Sequence, residues 1–188
     1  LLPRRHSATF HPQTCPAHSL RPPVRARVGD VRDDDERAAA RLASILSTLP
    51  TAEGSPHRTY RTAELRPWLS KKSLRRMLER GLLLRPRRGI YLVPRVPDHV
   101  EAAVAEGARV CCVTVLKERD VFVRRNHAAH WHFERTMTRY APSTRVTTWH
   151  WRPLIRVPHP AATHVDIVDA LAQATRCQEP RDAVASLD

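Results

Sequence analysis

Apolar residues recur at intervals of three and four positions from Asp33 to Pro50, which is the spacing of one face of an α-helix. Aspartates lead the segment, where carboxylates cap a helix and complement its dipole, and Pro50 ends it. The inward positions are Ala38, Leu42, Ile45, Leu46 and Leu49. The pattern predicts a core helix that begins near Asp33 and has a single apolar face.

A shorter helix is predicted next, in the segment "TAELRPWL". It starts at Thr62, whose hydroxyl is suited to capping a helix. We expect Leu65, Trp68 and Leu69 to face inward. Pro67 keeps this helix short, because proline lacks the backbone donor that a helix interior requires.

The third helical segment carries apolar and basic residues on opposite sides. Ser70 is a typical N-cap, and Gly81 is a typical terminator in the left-handed conformation. Leu74, Met77 and Leu78 fall on one side of the predicted helix. The opposite arc holds Lys71, Lys72, Arg75, Arg76 and Glu79. The basic side chains are therefore predicted to lie together on one exposed face.

A β-hairpin is predicted directly after this helix. Its strands are residues 82–84 and 90–93, joined by a tight basic turn over 85–89. Three helices followed by a hairpin with a basic turn are typical of a winged helix-turn-helix. We expect that unit over residues 33–95.

The second half alternates helical segments with short apolar runs. The run "DHVEAAVAEG" predicts a helix closed by Gly107, and further helices are predicted over about 165–177, capped near Asp166, and from Pro180 onward. Short strands are expected at 109–116, 120–124, 129–134, 145–151 and 154–157. The predicted fold class is α+β: an N-terminal winged helix-turn-helix, then a small mixed α/β domain with a short-stranded sheet over 98–188.

Charge is distributed unevenly along the 188 residues. The formal net charge is +13, and residues 58–89 contribute nine of those charges. Such an excess of positive charge favours an acidic partner, most commonly nucleic acid. Residues 1–32 are rich in arginine and proline and lack hydrophobic periodicity, so we expect a disordered basic arm there.

Double-stranded DNA is the partner that the basic helix and hairpin favour. Such a helix can reach base edges in the major groove, while the hairpin reaches the flanking backbone or the minor groove. The candidate contacts are Lys71, Lys72, Ser73, Arg75, Arg76 and Arg80 on the helix, and Arg85, Arg87 and Arg88 on the hairpin. One alternative is that these side chains are only solvated. Another is a basic RNA-binding module, which is less favoured because the sequence has no RNA-binding aromatic strand or GXXG loop.

The segment "TYRTAELRPWLSKKSLRRMLERGLLLRPRRGIYLVP" resembles the winged-helix domain of AbiEi-family antitoxins of type IV toxin–antitoxin systems. The resemblance is carried by Ser73, Leu74, Arg75, Arg76, Gly81, Leu83, Arg85, Arg88, Gly89 and Tyr91. It implies a sequence-specific, non-catalytic DNA-binding regulator that represses its own promoter. The second domain would then serve partner recognition or toxin neutralisation, and a nucleotidyltransferase-type toxin is the partner that the resemblance implies.

Later segments resemble actinobacterial proteins in which such a winged helix precedes a Vsr-like, restriction-endonuclease-like domain. They are "VCCVTVLKERDVFV", "HWHF", "VTTWHW" and "VDIVDALAQATRCQEPRDAVASLD". This resemblance implies an alternative function, the DNA-targeting part of such a protein, with the chain ending before its nuclease domain. Acidic nuclease motifs encoded directly downstream would favour this alternative, and an adjacent nucleotidyltransferase gene would favour the antitoxin.

Nuclease chemistry is not expected in the chain itself. A restriction-type site needs an acid on one strand and an (Asp/Glu)-x-Lys motif on the next, because Mg²⁺ takes carboxylate oxygens and the lysine assists the attacking water. No such pair lies on adjacent predicted strands, and the order of "KERD" at 117–120 is wrong. We therefore predict that the chain is not an enzyme.

Cysteine and histidine give a weaker indication of metal binding. The four cysteines form no CxxC pair, and Cys111 and Cys112 lie in an apolar run where buried thiols are the simpler interpretation. His127, His130 and His132, with His150 on a later strand, form a histidine cluster in the sequence. Of these, His130 and His132 share a face of a predicted strand and could converge with His150 on Zn²⁺. Aromatic residues alternate with them, as in a half-buried sheet with histidine on its wetter face. No metal or other cofactor is predicted, and on protonation these histidines are expected to add to nucleic-acid or partner binding.

The apolar runs of the sequence argue against a membrane partner. The longest run, residues 110–116, is far too short to span a bilayer, and no secretory signal opens the chain. The cysteine pattern favours a reducing compartment, so we expect a cytoplasmic protein.

Overall fold

The computed structural model describes residues 28–124, 128–134 and 147–186, which form a mixed α+β arrangement with small sheets. The elements of the first half are α1 (Val28–Ser47), β1 (Tyr60–Arg61), α2 (Thr62–Leu65), α3 (Lys71–Glu79), β2 (Leu84–Arg87) and β3 (Ile90–Leu92). Those of the second half are α4 (Asp98–Ala105), β4 (Arg109–Val110), α5 (Cys112–Glu118), β5 (Ala129–His132), β6 (Thr147–His150), α6 (Ile167–Cys177) and α7 (Pro180–Ala185). None of the helices in these ranges is long and apolar enough to cross a membrane. Residues 1–27 of the predicted basic arm lie outside the described residues.

Helix α1 begins at Val28, ahead of the predicted start at Asp33. No proline lies between these two positions, so the helix can extend toward its N-terminus. Asp34 consequently lies inside the helix and pairs with Arg37 one turn later, at 3.0 Å, instead of capping the first turn. The predicted inward residues Leu42 and Ile45 are buried.

Helix α2 is a single turn, and two predictions about it are wrong. Its N-cap is Arg61, whose backbone N–H donates to the Glu64 carboxylate at 2.6 Å, so Thr62 is already helical. Leu65 is buried as predicted, whereas Trp68 is 49% exposed. The helix ends before Trp68 is reached, and this residue therefore does not continue the inward face.

Helix α3 matches the sequence prediction closely. The Ser70 hydroxyl accepts a hydrogen bond from the Ser73 backbone N–H at 3.1 Å and so caps the helix. At the other end, Gly81 has φ +65°, and the Leu82 N–H donates to the Met77 carbonyl at 2.8 Å. Leu74 and Met77 are buried, which leaves the basic arc of the helix exposed.

The hairpin is confirmed, but its turn is shorter than predicted. Strand β2 extends through Arg87, so only Arg88 and Gly89 connect it to β3. Arg85 and Arg87 accordingly lie on the strand, where exposed positions alternate with half-buried ones. Strand β1, which was not predicted, pairs antiparallel with β3 and completes a sheet of order β1-β3-β2.

Two buried clusters flank this first sheet. The first core joins α1, α2 and α3 to the sheet, and its buried residues are Leu42, Ile45, Tyr60, Leu65, Leu69, Leu74, Met77, Leu83 and Tyr91. The second core contains Leu92 and continues through α4, α5, β5 and α6. Tyr91 and Leu92 are neighbours on β3, so alternation along one short strand sends one side chain into each core.

The described residues of the second half form fewer strands than predicted. Of the expected strand 109–116, only Arg109–Val110 is β-structure, and Cys112–Glu118 forms helix α5. Residues 112–116 are all buried, so no polar face marks the helix, and an apolar run of this kind does not separate a buried strand from a buried helix. The strands expected at 120–124 and 154–157 are also wrong, since no strand is formed there.

The second sheet has the order β4-β5-β6. Strand β4 is antiparallel to β5, whereas β5 and β6 are parallel, with His132 opposite His150 in the register. The two predicted C-terminal helices are confirmed: Asp166 caps α6 by accepting from the Val168 N–H at 2.9 Å, and Pro180 occupies the first turn of α7.

A backbone junction joins the first half to a segment near the end of the chain. The Thr59 N–H donates to the Ala161 carbonyl at 2.8 Å, and Arg58 forms a β-bridge with Ala162. The Thr163 hydroxyl donates to the His57 carbonyl at 2.9 Å, and the Val110 N–H donates to the Thr163 carbonyl. Residues 161–163 therefore contact both residues 57–59 of the first half and strand β4 of the second.

Replacing Gly81 with alanine should lower the free energy of unfolding by about 1 kcal/mol, because its φ of +65° disfavours an L-residue. An added Cβ would meet no atom within 4 Å, so the loss reflects backbone strain alone. Denaturant unfolding measures it. Gly81→Asn is the matched control and should lose less, since asparagine tolerates this conformation. An equal loss in both variants would contradict the strain explanation.

Candidate functional site

Six of the nine predicted DNA contacts are exposed and make no ion pair with another described residue. They are Lys71, Lys72, Arg76, Arg85, Arg87 and Arg88. The first three lie on α3 and the others on the hairpin. Their charges are therefore not neutralised within the described part of the chain.

The other three predicted contacts have side-chain partners among the described residues. Arg75 pairs with Glu79 one turn later on α3, at 2.7 Å. Arg80 lies 3.0 Å from an Asp35 carboxylate oxygen and so connects α3 to α1. The Ser73 hydroxyl lies 2.9 Å from the Ser70 hydroxyl at the N-cap, where it adds to the cap. The sequence pattern grouped these three with the free basic residues, because it could not show their partners.

A groove of about 320 Å³ lies between α1 and α3. Arg76 and Met77 line it from α3, and Arg37 and Arg41 line it from α1. Both α1 arginines are exposed, although Arg37 is paired within its helix. Sequence analysis did not assign them to the site, although their spacing of one turn on the predicted first helix was a usable signal.

The hairpin turn is tied to the start of α2. The Thr62 backbone N–H donates to the Gly89 carbonyl at 3.0 Å, and the Thr62 hydroxyl donates to the same oxygen at 3.3 Å. Gly89 has φ +80°, as a tight hairpin turn requires. The α2–α3 pair and the hairpin are thus fixed to each other by backbone and side-chain contacts.

A second group of side chains that could bind a ligand lies in the second half of the chain. One thiol or imidazole from each of four elements meets there, with all ligand atoms within 4.8 Å of one another. The four residues are Cys112, His130, His150 and Cys177. We refer to them as the Cys/His cluster. Two of the four histidines considered from sequence belong to it, and neither cysteine was assigned.

The two remaining histidines of the sequence analysis lie elsewhere. His127 lies outside the described residues, and His132 faces Gln173, with 3.4 Å between His132 Nδ1 and the amide nitrogen. His132 is 3% exposed and Trp131 is equally buried, so both faces of β5 are covered. The predicted wetter histidine face is therefore wrong at β5.

Burial also bears on the protonation of His132. Desolvation, with the charge of Arg109 adding to it, lowers the pKa of His132 to about 4. This imidazole is neutral near pH 7. It does not supply the additional positive charge that was expected for nucleic-acid or partner binding.

Distances within the Cys/His cluster are short. His130 Nδ1 lies 3.2 Å from His150 Nε2, and Cys177 Sγ lies 3.6 Å from the same His130 nitrogen. The two imidazole rings are stacked, with centroids 5.5 Å apart and planes inclined by 29°. Polar ligand atoms of four side chains are therefore directed at one small volume.

The two thiols of the Cys/His cluster differ in acidity. Hydrogen bonding from Cys112, and then from His130 and His150, lowers the pKa of Cys177 far below its usual value. The same bond to Cys177, together with burial, raises the pKa of Cys112. One proton shared between two neighbouring sulfur atoms explains the opposite directions.

A partly buried polar network surrounds Glu118 at the end of α5. Its carboxylate contacts His99 and lies 2.8 Å from His164 Nε2. Burial raises the pKa of Glu118, but the contacts with His164 and His99 outweigh it and lower the value to about 2. The carboxylate is therefore charged throughout the neutral range and holds the two imidazoles in place.

Ser55 extends this network in the order hydroxyl, imidazole, carboxylate that nucleophilic triads use. Its Oγ lies 3.4 Å from His164 Nδ1, but Thr163 Oγ1 is closer to that nitrogen, at 2.8 Å. The Ser55 hydroxyl donates to the His57 carbonyl at 2.5 Å. His164 is also only 2% exposed, so these side chains join two chain segments and do not present a nucleophile to solvent.

No protein-family model matches the chain, and a search of the curated proteins finds no match either. Function is therefore inferred from the geometry and chemistry of the residues, together with the sequence resemblance.

Acidification should destabilise the wild type more than Glu118→Gln. The folded-state pKa of Glu118 is about 2 and its ordinary value is 4.5, so its stabilisation is complete above pH 4.5 and is lost as the pH falls toward 2. The glutamine variant removes this proton linkage, worth about 1–2 kcal/mol after allowance for partial exposure. Urea unfolding at a series of pH values measures the difference.

Glu53→Gln is the control for this experiment. Glu53 is exposed in a loop and forms no ion pair with another described residue, so its replacement removes the same charge and leaves the pairs of Glu118 with His99 and His164 intact. This variant should keep the wild-type slope on the acid side. The explanation fails if Glu118→Gln and the wild type lose stability in parallel below pH 4.5.

Proposed function

We propose that the chain is a DNA-binding regulator that binds duplex DNA through a winged helix-turn-helix. The observation that carries this proposal is the set of exposed, unpaired basic side chains on α3 and on the hairpin that follows it. The order α1-β1-α2-α3-β2-β3, with a sheet of order β1-β3-β2, supports it, since a winged helix places a short strand between its first two helices.

The exposed face of α3 supports its role as a recognition helix. Leu74 and Met77 anchor the helix in the first core, so its orientation is fixed by packing. Lys71, Lys72 and Arg76 then project from the opposite side. A helix held in this way offers donors to guanine edges and phosphates in the major groove.

The hairpin has a different role in this proposal. Arg85, Arg87 and Arg88 are exposed on it and contact the flanking phosphates or the minor groove. Because Thr62 holds the turn at Gly89, these arginines keep a constant position relative to α2 and α3. Contacts to phosphates place the protein on the duplex, and contacts from α3 read the sequence.

The resemblance to AbiEi-family antitoxins gives the regulator its most specific form. In that form the chain represses its own promoter, and its second half recognises a nucleotidyltransferase-type toxin. Selection of bound duplexes from a random pool, followed by mobility-shift titration, tests DNA binding without assuming an operator. Titration of the DNA upstream of its own reading frame then tests autoregulation.

Arg76→Ala should weaken binding to the selected sequence by about 1–3 kcal/mol, because an arginine that contacts guanine forms two hydrogen bonds with it. Binding to unrelated duplexes should change much less. Competition mobility-shift assays give both values. Arg80→Ala is the matched comparison on the same helix: Arg80 is held by Asp35, so its loss should affect thermal stability more than sequence preference.

Arg87→Ala combined with Arg88→Ala should weaken binding to all sequences alike. Each lost phosphate contact should reduce the slope of log affinity against log salt by about one unit. Fluorescence anisotropy at several salt concentrations measures this slope. Arg152→Ala with Arg181→Ala removes the same charge from exposed sites outside α3 and the hairpin, and should leave the slope near the wild-type value.

The decisive variant replaces Arg75, Arg76, Arg87 and Arg88 together with alanine. Unchanged affinity for the selected duplex in this variant would exclude the winged-helix interface, provided that its circular dichroism spectrum matches that of the wild type.

A further inference from the structure

We propose that Cys112, His130, His150 and Cys177 bind one Zn²⁺ ion in a closed tetrahedral site. The four residues come from α5, β5, β6 and α6, and their ligand atoms lie within 4.8 Å of one another. This site is independent of the proposed DNA interface, which lies on α3 and the hairpin.

Two of the six ligand-to-ligand distances within the Cys/His cluster match those of a metal coordination shell. Around a tetrahedral zinc ion, with bonds of about 2.0 Å to nitrogen and 2.3 Å to sulfur, two nitrogens lie about 3.3 Å apart and a nitrogen and a sulfur about 3.5 Å apart. The observed distances are 3.2 Å between His130 Nδ1 and His150 Nε2, and 3.6 Å between Cys177 Sγ and His130 Nδ1. Two edges of the tetrahedron are thus already formed.

The type of ligand selects the ion. Two imidazole nitrogens and two thiolates are a common donor set for structural zinc, whereas Mg²⁺ and Ca²⁺ require oxygen ligands. Binding requires both sulfur atoms as thiolates, so the ion displaces the proton that Cys112 and Cys177 share. The two negative charges balance the charge of the ion, and the completed site is neutral. Neutrality suits Cys112 and His130, which are buried.

The backbone at Cys112 provides an independent observation. Its φ is +54°, in the left-handed region that residues with a side chain rarely adopt, and it is the first residue of α5. Such strain persists where surrounding contacts enforce it, commonly at ligand-binding positions. At Cys112 this conformation accompanies a thiol that lies within the Cys/His cluster.

The elements that carry the ligands are held in place before any ion arrives. The Thr114 hydroxyl accepts from the His130 backbone N–H at 2.9 Å, which joins α5 to β5. The parallel pairing of β5 with β6 sets His150 across from His132, two pairs beyond His130 on the same face of the strand. With four protein ligands no coordination position remains for water, so the ion has a structural role and connects four elements of the second half.

The site is open to exchange with solvent on one side. Cys177 is exposed, and His130 and Cys177 line a cleft of about 580 Å³ between α6, α7 and the strands. Metal can enter and chelators can remove it by this route. Cys112 and Cys177 lie close together in the Cys/His cluster, so oxidation could instead join them as a disulfide. A Cys112–Cys177 disulfide would use both thiols and exclude zinc.

The first experiment measures metal in the full chain, purified under reducing conditions without a polyhistidine tag. Elemental analysis should find about one zinc per chain. Cys112→Ala and His150→Ala should each reduce the content to about a tenth or less. Cys111→Ala is the matched control: it removes the neighbouring buried thiol, which is not a member of the Cys/His cluster, and should keep the zinc.

Cobalt substitution shows the coordination directly. Co²⁺ added to the metal-free chain should give the strong visible bands of tetrahedral cobalt and a thiolate-to-cobalt charge-transfer band, and Zn²⁺ should displace both. Cys177→His, a conservative change at an exposed position, should keep the tetrahedral bands and weaken the charge-transfer band, since one sulfur is replaced by nitrogen. A spectrum of octahedral cobalt without thiolate bands would overturn the proposal.

Thiol modification of the wild type covers the case in which the alanine variants fail to fold. A mercurial reagent should release zinc in proportion to the thiols it blocks, and a chelator should lower the unfolding temperature. If the wild type contains no zinc, takes up none from zinc added in excess, or holds a Cys112–Cys177 disulfide in the reducing preparation, the proposal is wrong.

Discussion

Alternation of side chains along β3 is the constraint on which both halves of the molecule depend. Tyr91 packs into the first core and Leu92 into the second, although the strand is only three residues long. A shift of the register by one residue would exchange the two side chains and disrupt both cores at once. Pairing with β1 on one side and β2 on the other prevents that shift.

The position of the basic residues follows from the same packing. Helix α3 reaches the first core through Leu74 and Met77, so its polar side must face outward. Not every arginine between residues 58 and 89 contributes to the exposed charge: Arg58 pairs with Glu64 at 2.5 Å and lies over the Tyr60 ring. With Arg75 and Arg80 also paired, the field available to a nucleic acid comes from fewer side chains than the composition indicates.

The parts of the fold that could be predicted are those with local signals. Helix α3 has an N-cap, a glycine terminator and an amphipathic pattern, and all three are read directly from Ser70 to Gly81. Helix α5 could not be predicted, because burial on all sides removes the periodicity that distinguishes a helix from a strand. Strand β1 has two residues, too few for any pattern.

The candidate sites divide in the same way. The basic residues of α3 are close in sequence, so a helical wheel groups them correctly, but only tertiary contacts show that Arg80 is held by Asp35. The members of the Cys/His cluster are spread from residue 112 to 177, and no two are close enough to form a recognisable metal-binding motif. Their convergence depends on the parallel pairing of β5 and β6, which sequence patterns do not specify.

The junction between Thr59 and Ala161 has a consequence for the order of folding. These residues are 102 positions apart, and closing a loop of that length costs chain entropy before any contact offsets it. We therefore expect local elements such as α3 and the hairpin to form before the junction closes. During synthesis Arg58 and Thr59 leave the ribosome long before Ala161 and Ala162, so this edge stays unpaired until that segment follows.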